Sequence, residues 1–268
     1  MNTPGAVERW RGQSPMTDPG ARAKLLSELP SDVAELSRIV GNLLIHGECL
    51  PQYGLRESDF PAISRETLPV ATRLAQVHGR DDRSLLLPRD PVKRSIATCR
   101  DYAVMLCAML RAQGIAARVR CGFASYLDPG RWADHWVCER WLAEDRRWAA
   151  ADAQMDAVLR KELKIAFDHV DLPRTAFISA GEAWLRCRSG ALDPAYCGHG
   201  EAAGLWFVYV NVVRDHLALN HVETSDWDSW RKCSPGARHV QQNALAWTDE
   251  IARRPEIELI TIPQPPWL

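Results

Sequence analysis

The run TCRDYAVMLCAMLRAQ, residues 98–113, leaves the chain little choice at its centre. Ala103, Leu106, Cys107 and Leu110 recur at helical spacing, and Gly114 stands where a left-handed C-cap is wanted. Immediately afterwards Ile115, Ala117, Val119, Cys121 and Phe123 alternate with Ala116, Arg118, Arg120 and Gly122, the two-residue period of a strand. A helix therefore feeds a strand with almost no linker. Further on, 135–142 and 147–153 flank the polar AEDR stretch, which reads as strand, tight turn and strand. The pattern predicts an α+β fold, with a helix feeding a strand, then a hairpin, and helical additions at both ends.

Those additions are legible to different degrees. Val33, Leu36, Val40, Leu43 and Leu44 predict a helix over 31–46, with Ser31 able to cap it and Gly47 to end it. A second helix is expected over 68–78, stopped by Gly79, and then a charged, proline-punctuated connection over 81–93. Residues 180–188 and 241–253 read as helices. The spacing of Leu205, Tyr209, Val212, Val213, His216 and Leu217 is helical too, although β-branching makes 206–213 ambiguous with a strand. The expected organisation is a flexible N-terminal tail over 1–20, a helical part over 21–94, a core over 95–160, and a mainly helical part of the same globule over 161–268.

Bulk properties exclude several function classes. A formal charge of −1, with Lys and Arg spread along the 268 residues, gives no electrostatic drive toward a polyanion, so nucleic acid is not an expected partner. No apolar stretch has the length of a signal peptide or of a membrane span, so a cytoplasmic protein with no membrane partner is expected. The eight cysteines then read as free thiols. Neither closely paired thiolates or imidazoles nor a glycine-rich phosphate loop is present; Cys197, His199, His216 and His221 have poor ligand spacing. No metal and no cofactor is called for.

Chemistry concentrates around the central helix. Thr98 can serve as N-cap and Asp101 can complete a capping box, which puts Cys99 on the first turn. There the free N–H groups and the positive end of the helix dipole favour a thiolate over a thiol. A thiolate needs a proton partner, and His135 opens the strand HWVCERWL. Asp152 lies on the next strand, and an even turn between the strands would put both side chains on one face of the sheet. Each residue also has a plainer reading: a small core cysteine, a hydrogen-bonded strand histidine, an aspartate that starts a turn. Their joint order and parity favour the site. Cys107, Cys121 and Cys138 keep the core reading. Of the eleven tryptophans, Trp132, Trp136, Trp141 and Trp148 crowd the hairpin. Trp136 and Trp132 are the candidate substrate-binding walls, whereas Asp134 and Arg131 read as a solvated loop.

The runs TCRDYAVMLCAMLRAQGIAARVRCGF, DHWVCERW and RWAAADAQMD together resemble the transglutaminase-like core of bacterial proteins, over about residues 95–156. The resemblance implies a papain-like fold, the cysteine-bearing helix packed on an antiparallel sheet, with Cys99 as nucleophile, His135 as general base and acid, and Asp152 as orienter. It implies a cysteine hydrolase or acyltransferase that takes a small-molecule amide or peptide through a thioester, with water or an amine as acceptor. The alternative is a non-catalytic binding module on the same fold. A-T-C-R stands where animal tissue transglutaminases have G-Q-C-W, and the family includes hydrolases and acyltransferases besides cross-linkers. ISAGEAWLRCRSGALDP through WDSW is similar to the C-terminal part of some of these bacterial proteins. The Cys99 amide can supply one oxyanion donor, and Trp136, Arg94 and Arg100 are candidates for the second. The oligomeric state is left open.

Overall fold

The computed structural model describes residues 7–61, 66–258 and 264–268. They fall into two compact units, one formed by 1–118 with 137–172 and the other by 119–136 with 173–268. These units cut across the boundaries expected from sequence, because two strands run from one unit into the other. No helix among the described residues is long and apolar enough to cross a membrane.

The first unit opens with α1 (Ala23–Ser27) and α2 (Val33–Leu43). Asp32, not Ser31, caps α2 by accepting the Glu35 amide at 2.9 Å. The helix stops at Leu43, short of the expected His46, because Leu44–His46 becomes strand β1 and pairs in parallel with β2 (Ser95–Ala97). Leu44 and Ile45 are fully buried, and pairing in the core overrides a helical periodicity that the three residues also satisfy. Then α3 (Val70–Arg80) runs through Gly79, whose Cβ position faces open space. Helix α4 (Cys99–Ala112) is buried continuously from Asp101 to Arg111, as befits the element at the centre of a core.

The N-terminal segment corrects an expectation. From residue 7 on it is not a flexible tail: Val7 and Trp10 are buried against Ala116, Trp141 and Trp148. The Trp10 carbonyl accepts from Arg111 Nε at 3.2 Å and from the Ala117 amide at 3.0 Å. Val7 and Trp10 lie three residues apart, the spacing that puts two apolar side chains on one face of a helical turn. Residues 1–6 lie outside the described residues.

Strand β3 (Ala117–Ala124) starts in the first unit and continues in the second, and β4 (Trp132–Leu142) makes the reverse passage at Trp136. In the first unit β4 pairs antiparallel with β5 (Arg147–Ala151), from Cys138 opposite Ala151 to Leu142 opposite Arg147. The turn over 143–146 therefore has four residues, an even number. Strand β5 ends two residues earlier than expected. There the Asp152 amide donates to the His169 carbonyl at 2.8 Å, and Leu172 donates to the Ala150 carbonyl at 2.8 Å. Helix α5 (Ala157–Glu162) follows, capped by Asp156.

The second unit carries β6 (Phe177–Ser179), α6 (Ala180–Arg188), β7 (Cys197–His199), β8 (Ala202–Ala203), α7 (Leu205–Leu219) and α8 (Gln242–Arg253). Its strand order is β6-β3-β4-β7-β8. Gly122 permits a close approach, since a Cβ there would stand 2.2 Å from the Ile178 carbonyl oxygen on β6. The ambiguous stretch 206–213 is helical, and α7 is buried along nearly its whole length. Asp215 of α7 takes Arg120 of β3 in two bonds, 2.9 and 2.8 Å, together with the Cys121 amide at 2.9 Å.

Candidate active site

In the first unit the start of α4 is held from several sides. Asp101 closes the expected capping box, accepting the Thr98 amide at 2.8 Å and its hydroxyl at 3.0 Å. The other carboxylate oxygen takes the Leu68 amide at 3.1 Å and Arg73 Nη2 at 2.7 Å. Arg73 also reaches the Ile96 carbonyl at 2.6 Å and the Ser95 hydroxyl at 2.9 Å, tying α3 to both β2 and α4. A buried ion pair is tolerable only when most of its remaining valences are met, and these bonds meet all but that of Arg73 Nε. Cys99, the first residue of the helix, is half-buried.

Beside it lies a residue the sequence reading passed over. The β1–β2 register sets His46 opposite Ala97, two residues before Cys99. His46 ends β1, and the following turn, Gly47–Tyr53, carries Cys49. Burial opposes the charge of the His46 imidazole, but the Cys49 and Cys99 sulfurs and their charge outweigh burial, and the pKa is pushed up to about 10. Nδ1 accepts the Glu48 amide at 3.2 Å, which in the neutral ring leaves the proton on Nε2. Full protonation would forfeit the Glu48 bond, so the two features pull in opposite directions. The upward direction stands, because two sulfurs act against one long amide bond. Reading 31–46 as one helix hid this residue; the strand-like pair Leu44-Ile45 was the available signal.

Asp152 is also in the first unit, 1% exposed just beyond the end of β5. Its Oδ1 accepts the Gln154 amide at 2.9 Å, and the Gln154 side chain donates to Cys49 Sγ at 3.9 Å. Arg94 and Arg100, weighed above as oxyanion donors, are engaged elsewhere. Arg94 pairs with Asp156 at 3.1 Å, where Tyr53 also donates at 2.8 Å, and Arg100 donates to the Thr67 hydroxyl at 3.0 Å.

His135 lies in the second unit, in the first half of β4, and is 1% exposed. Its ring meets Tyr126 edge-on at 6.0 Å. The flanking residues are gripped from α7: Asp134 accepts Asn211 Nδ2 at 2.8 Å and lies 3.5 Å from Arg214, whose guanidinium stands 5.0 Å from the Trp136 ring centre. Asp134 is therefore not a solvated loop residue. A buried helix carrying Asn211 and Arg214 covers it, and nothing in the local sequence around 134 announces that helix. Trp136 is 2% exposed and belongs to the core, while Trp132 is half-buried against the helix cluster of this unit.

The remaining thiols differ in character. Burial and a hydrogen bond with Cys107 push the Cys138 thiol up. Cys187, half-buried, is lowered by a hydrogen bond with Cys197, and Cys197 is raised by the same bond. A pocket of about 420 Å³ in the second unit is bordered by Tyr209, His239 and Trp247, and by none of Cys99, His135 or Asp152.

Comparison with known proteins follows the same segment. Residues 74–153 match the model of the transglutaminase-like superfamily. No curated protein matches. A crystal structure from Cytophaga hutchinsonii, described as that of a candidate cysteine protease, is similar at 16% identity with a TM-score of 0.40. That similarity covers 66% of this chain and 47% of the other, so the chain spans under half the length of that protein. Cys99, His135 and Asp152 all fall inside the segment that is similar to the transglutaminase-like superfamily.

Proposed function

We propose that the protein is a cysteine enzyme that cleaves or transfers an amide or related acyl bond through a thioester on Cys99. The observation that carries this reading is the placement of Cys99 on the first turn of a helix whose start is locked by Asp101 and Arg73, inside the segment that matches a family of cysteine enzymes. His135 takes the thiol proton, and Asp152 accepts from the other ring nitrogen and fixes its orientation. The thiolate attacks the acyl carbon, the C–N bond breaks, and His135 returns the proton to the departing amine. Water or a second amine then attacks the thioester and releases Cys99. The Cys99 amide, at the helix start, donates to the oxyanion. The even β4–β5 turn supports this arrangement, because it has the parity that the reading requires. The substrate is a small amide or peptide, with Trp132 and Trp136 in the wall behind the acyl group.

A binding module on the same fold is the rival, favoured by the 1% exposure of both His135 and Asp152. An active ester separates the two. With p-nitrophenyl acetate in excess, the enzyme releases a burst of about one p-nitrophenolate per chain, as an acyl-enzyme does. Cys99→Ala abolishes the burst without changing the circular dichroism spectrum. An equal burst from Cys99→Ala, or none from the wild type with this ester and with amides, would reject the catalytic reading.

A further inference from the structure

The second unit holds a cavity of about 420 Å³ for which the chemistry of Cys99 has no use. Tyr209 of α7 and Trp247 of α8 form its aromatic walls, their ring centres 6.5 Å apart and their planes 77° to each other. His239, Gln241, Asn243 and Gln264 stand around them, and no Asp, Glu, Lys or Arg among the described residues borders the space. The volume is that of a small-molecule site, about 300–1,000 Å³. Two rings set nearly at right angles make a corner in which a flat ring can lie against one and meet the other at its edge.

Two independent features define the ligand. Tyr209 is only 7% exposed, yet its hydroxyl has no hydrogen-bond partner among the described residues. Nor is that oxygen sealed from the surface, so it opens on the cavity that the residue borders. Burial pushes the phenol up to about 12, which keeps it a donor throughout the neutral range. The Trp247 indole N–H is likewise without a partner among the described residues. The indoles of Trp184, Trp206 and Trp267, by contrast, donate to Asp249, the Ala203 carbonyl and Ser229 at 2.7, 2.9 and 2.9 Å. The second feature is the start of α8. Gln241 stands at its N-cap without a side-chain bond to the helix, and Gln241 and Asn243 border the cavity. The Gln242 and Asn243 amides are thus left as donors at the positive end of a helix of 12 residues.

We propose that this cavity binds an aromatic carboxylate, its ring held between Trp247 and Tyr209 and its carboxylate received by the Tyr209 hydroxyl and the open amides of α8. An ionised carboxylate only accepts hydrogen bonds, and the phenol, the indole and the helix start all have donors to offer. A helix N-terminus serves an anion without help from Lys or Arg, and a border without Asp or Glu adds no repulsion. His239, Gln241, Asn243 and Gln264 are exposed, placed to bond the outer edge of the ligand. An amide in place of the carboxylate would turn N–H groups toward donors, and a saturated ring would lose the contact of ring with ring. Binding here is independent of whether Cys99 is a nucleophile.

The test uses the full chain with isotope-labelled tryptophan, titrated with 2-naphthoate, 2-naphthamide and cyclohexanecarboxylate while NMR follows the Trp247 indole N–H. The first probe is expected to shift that resonance saturably and to bind roughly tenfold tighter than either of the others, the effect of one charge-assisted hydrogen bond or one ring contact. Tyr209→Phe, which removes only the hydroxyl, should weaken 2-naphthoate about tenfold or more. Trp247→Ala, followed by the fluorescence of the ligand, should lose it. The remaining indole resonances report whether each variant is folded, and the titration of the wild type stands without them. No saturable shift at about 1 mM 2-naphthoate, the weak end of specific binding, would overturn the proposal. Equal affinity for all three probes would overturn it as well, and so would unchanged affinity in both variants.

Discussion

Arg73 Nη2 and Asp101 Oδ1 stand 2.7 Å apart with both side chains 1% exposed, and Asp101 is two residues beyond the one proposed as nucleophile. The pair joins α3 to the capped start of α4, and through Ser95 and Ile96 it also fixes the end of β2. Replacing one partner strands the other charge in a low-dielectric interior, which typically costs about 3–5 kcal/mol. Arg73→Met should therefore lower unfolding free energy by about that amount in urea titration, whereas Arg73→Met with Asp101→Leu should recover part of it. A loss below about 1 kcal/mol in the single variant would mean that the pair does not hold the helix start.

Acid sensitivity is expected at the other edge of this unit. Arg147 of β5 binds Asp171 through two bonds, 2.8 and 2.5 Å, and they hold the Asp171 carboxyl below its ordinary value of 3.8. A carboxylate with a depressed folded pKa stabilises the fold above its unfolded pKa, and that contribution disappears as pH falls through the folded value. The deficit of Asp171→Asn relative to the wild type should be full at pH 6 and should shrink as pH falls below about 4. Thermal melts across that range check it. A deficit independent of pH would assign the effect to packing. Both side chains are partly exposed, so the effect is modest and salt should reduce it.

Thiol chemistry should rank the cysteines by environment. Cys107, Cys121 and Cys138 are fully buried, and the last is raised by burial, so they should resist iodoacetamide until the chain unfolds. Cys99 and Cys187 are half-buried, one at a helix start and the other lowered by Cys197. Brief alkylation near pH 7 with peptide mapping should label these two first. Labelling of Cys107 as fast as Cys99 would contradict the account.

Much of the site's scaffold can be read from the chain, and the failures have identifiable physics. The capping box at Thr98 and Asp101, the helix it starts, and the strand after Gly114 are local features whose signals lie within a few residues of each other. The hairpin parity likewise depends only on the AEDR turn. Strand β1 was lost because three residues cannot display a period of two, and Leu44-Ile45-His46 continues a helical stripe equally well. Strands β6 and β7 are equally short, and β8 is shorter still. Asp134 was misplaced because its partners Asn211 and Arg214 lie more than 70 residues away. His46 was missed for both reasons, since its strand is short and its neighbour Cys99 is remote in sequence.

The covalent intermediate is the most direct test of the whole account. The full chain would be exposed to a panel of small amides, peptides and thioesters, quenched in acid, and its intact mass and peptide map recorded, with Cys99→Ala as control. The account predicts an added acyl mass on the peptide that begins the central helix, located at Cys99, absent from the control and removed by hydroxylamine. An adduct on any other residue, or one that persists in Cys99→Ala, would contradict it.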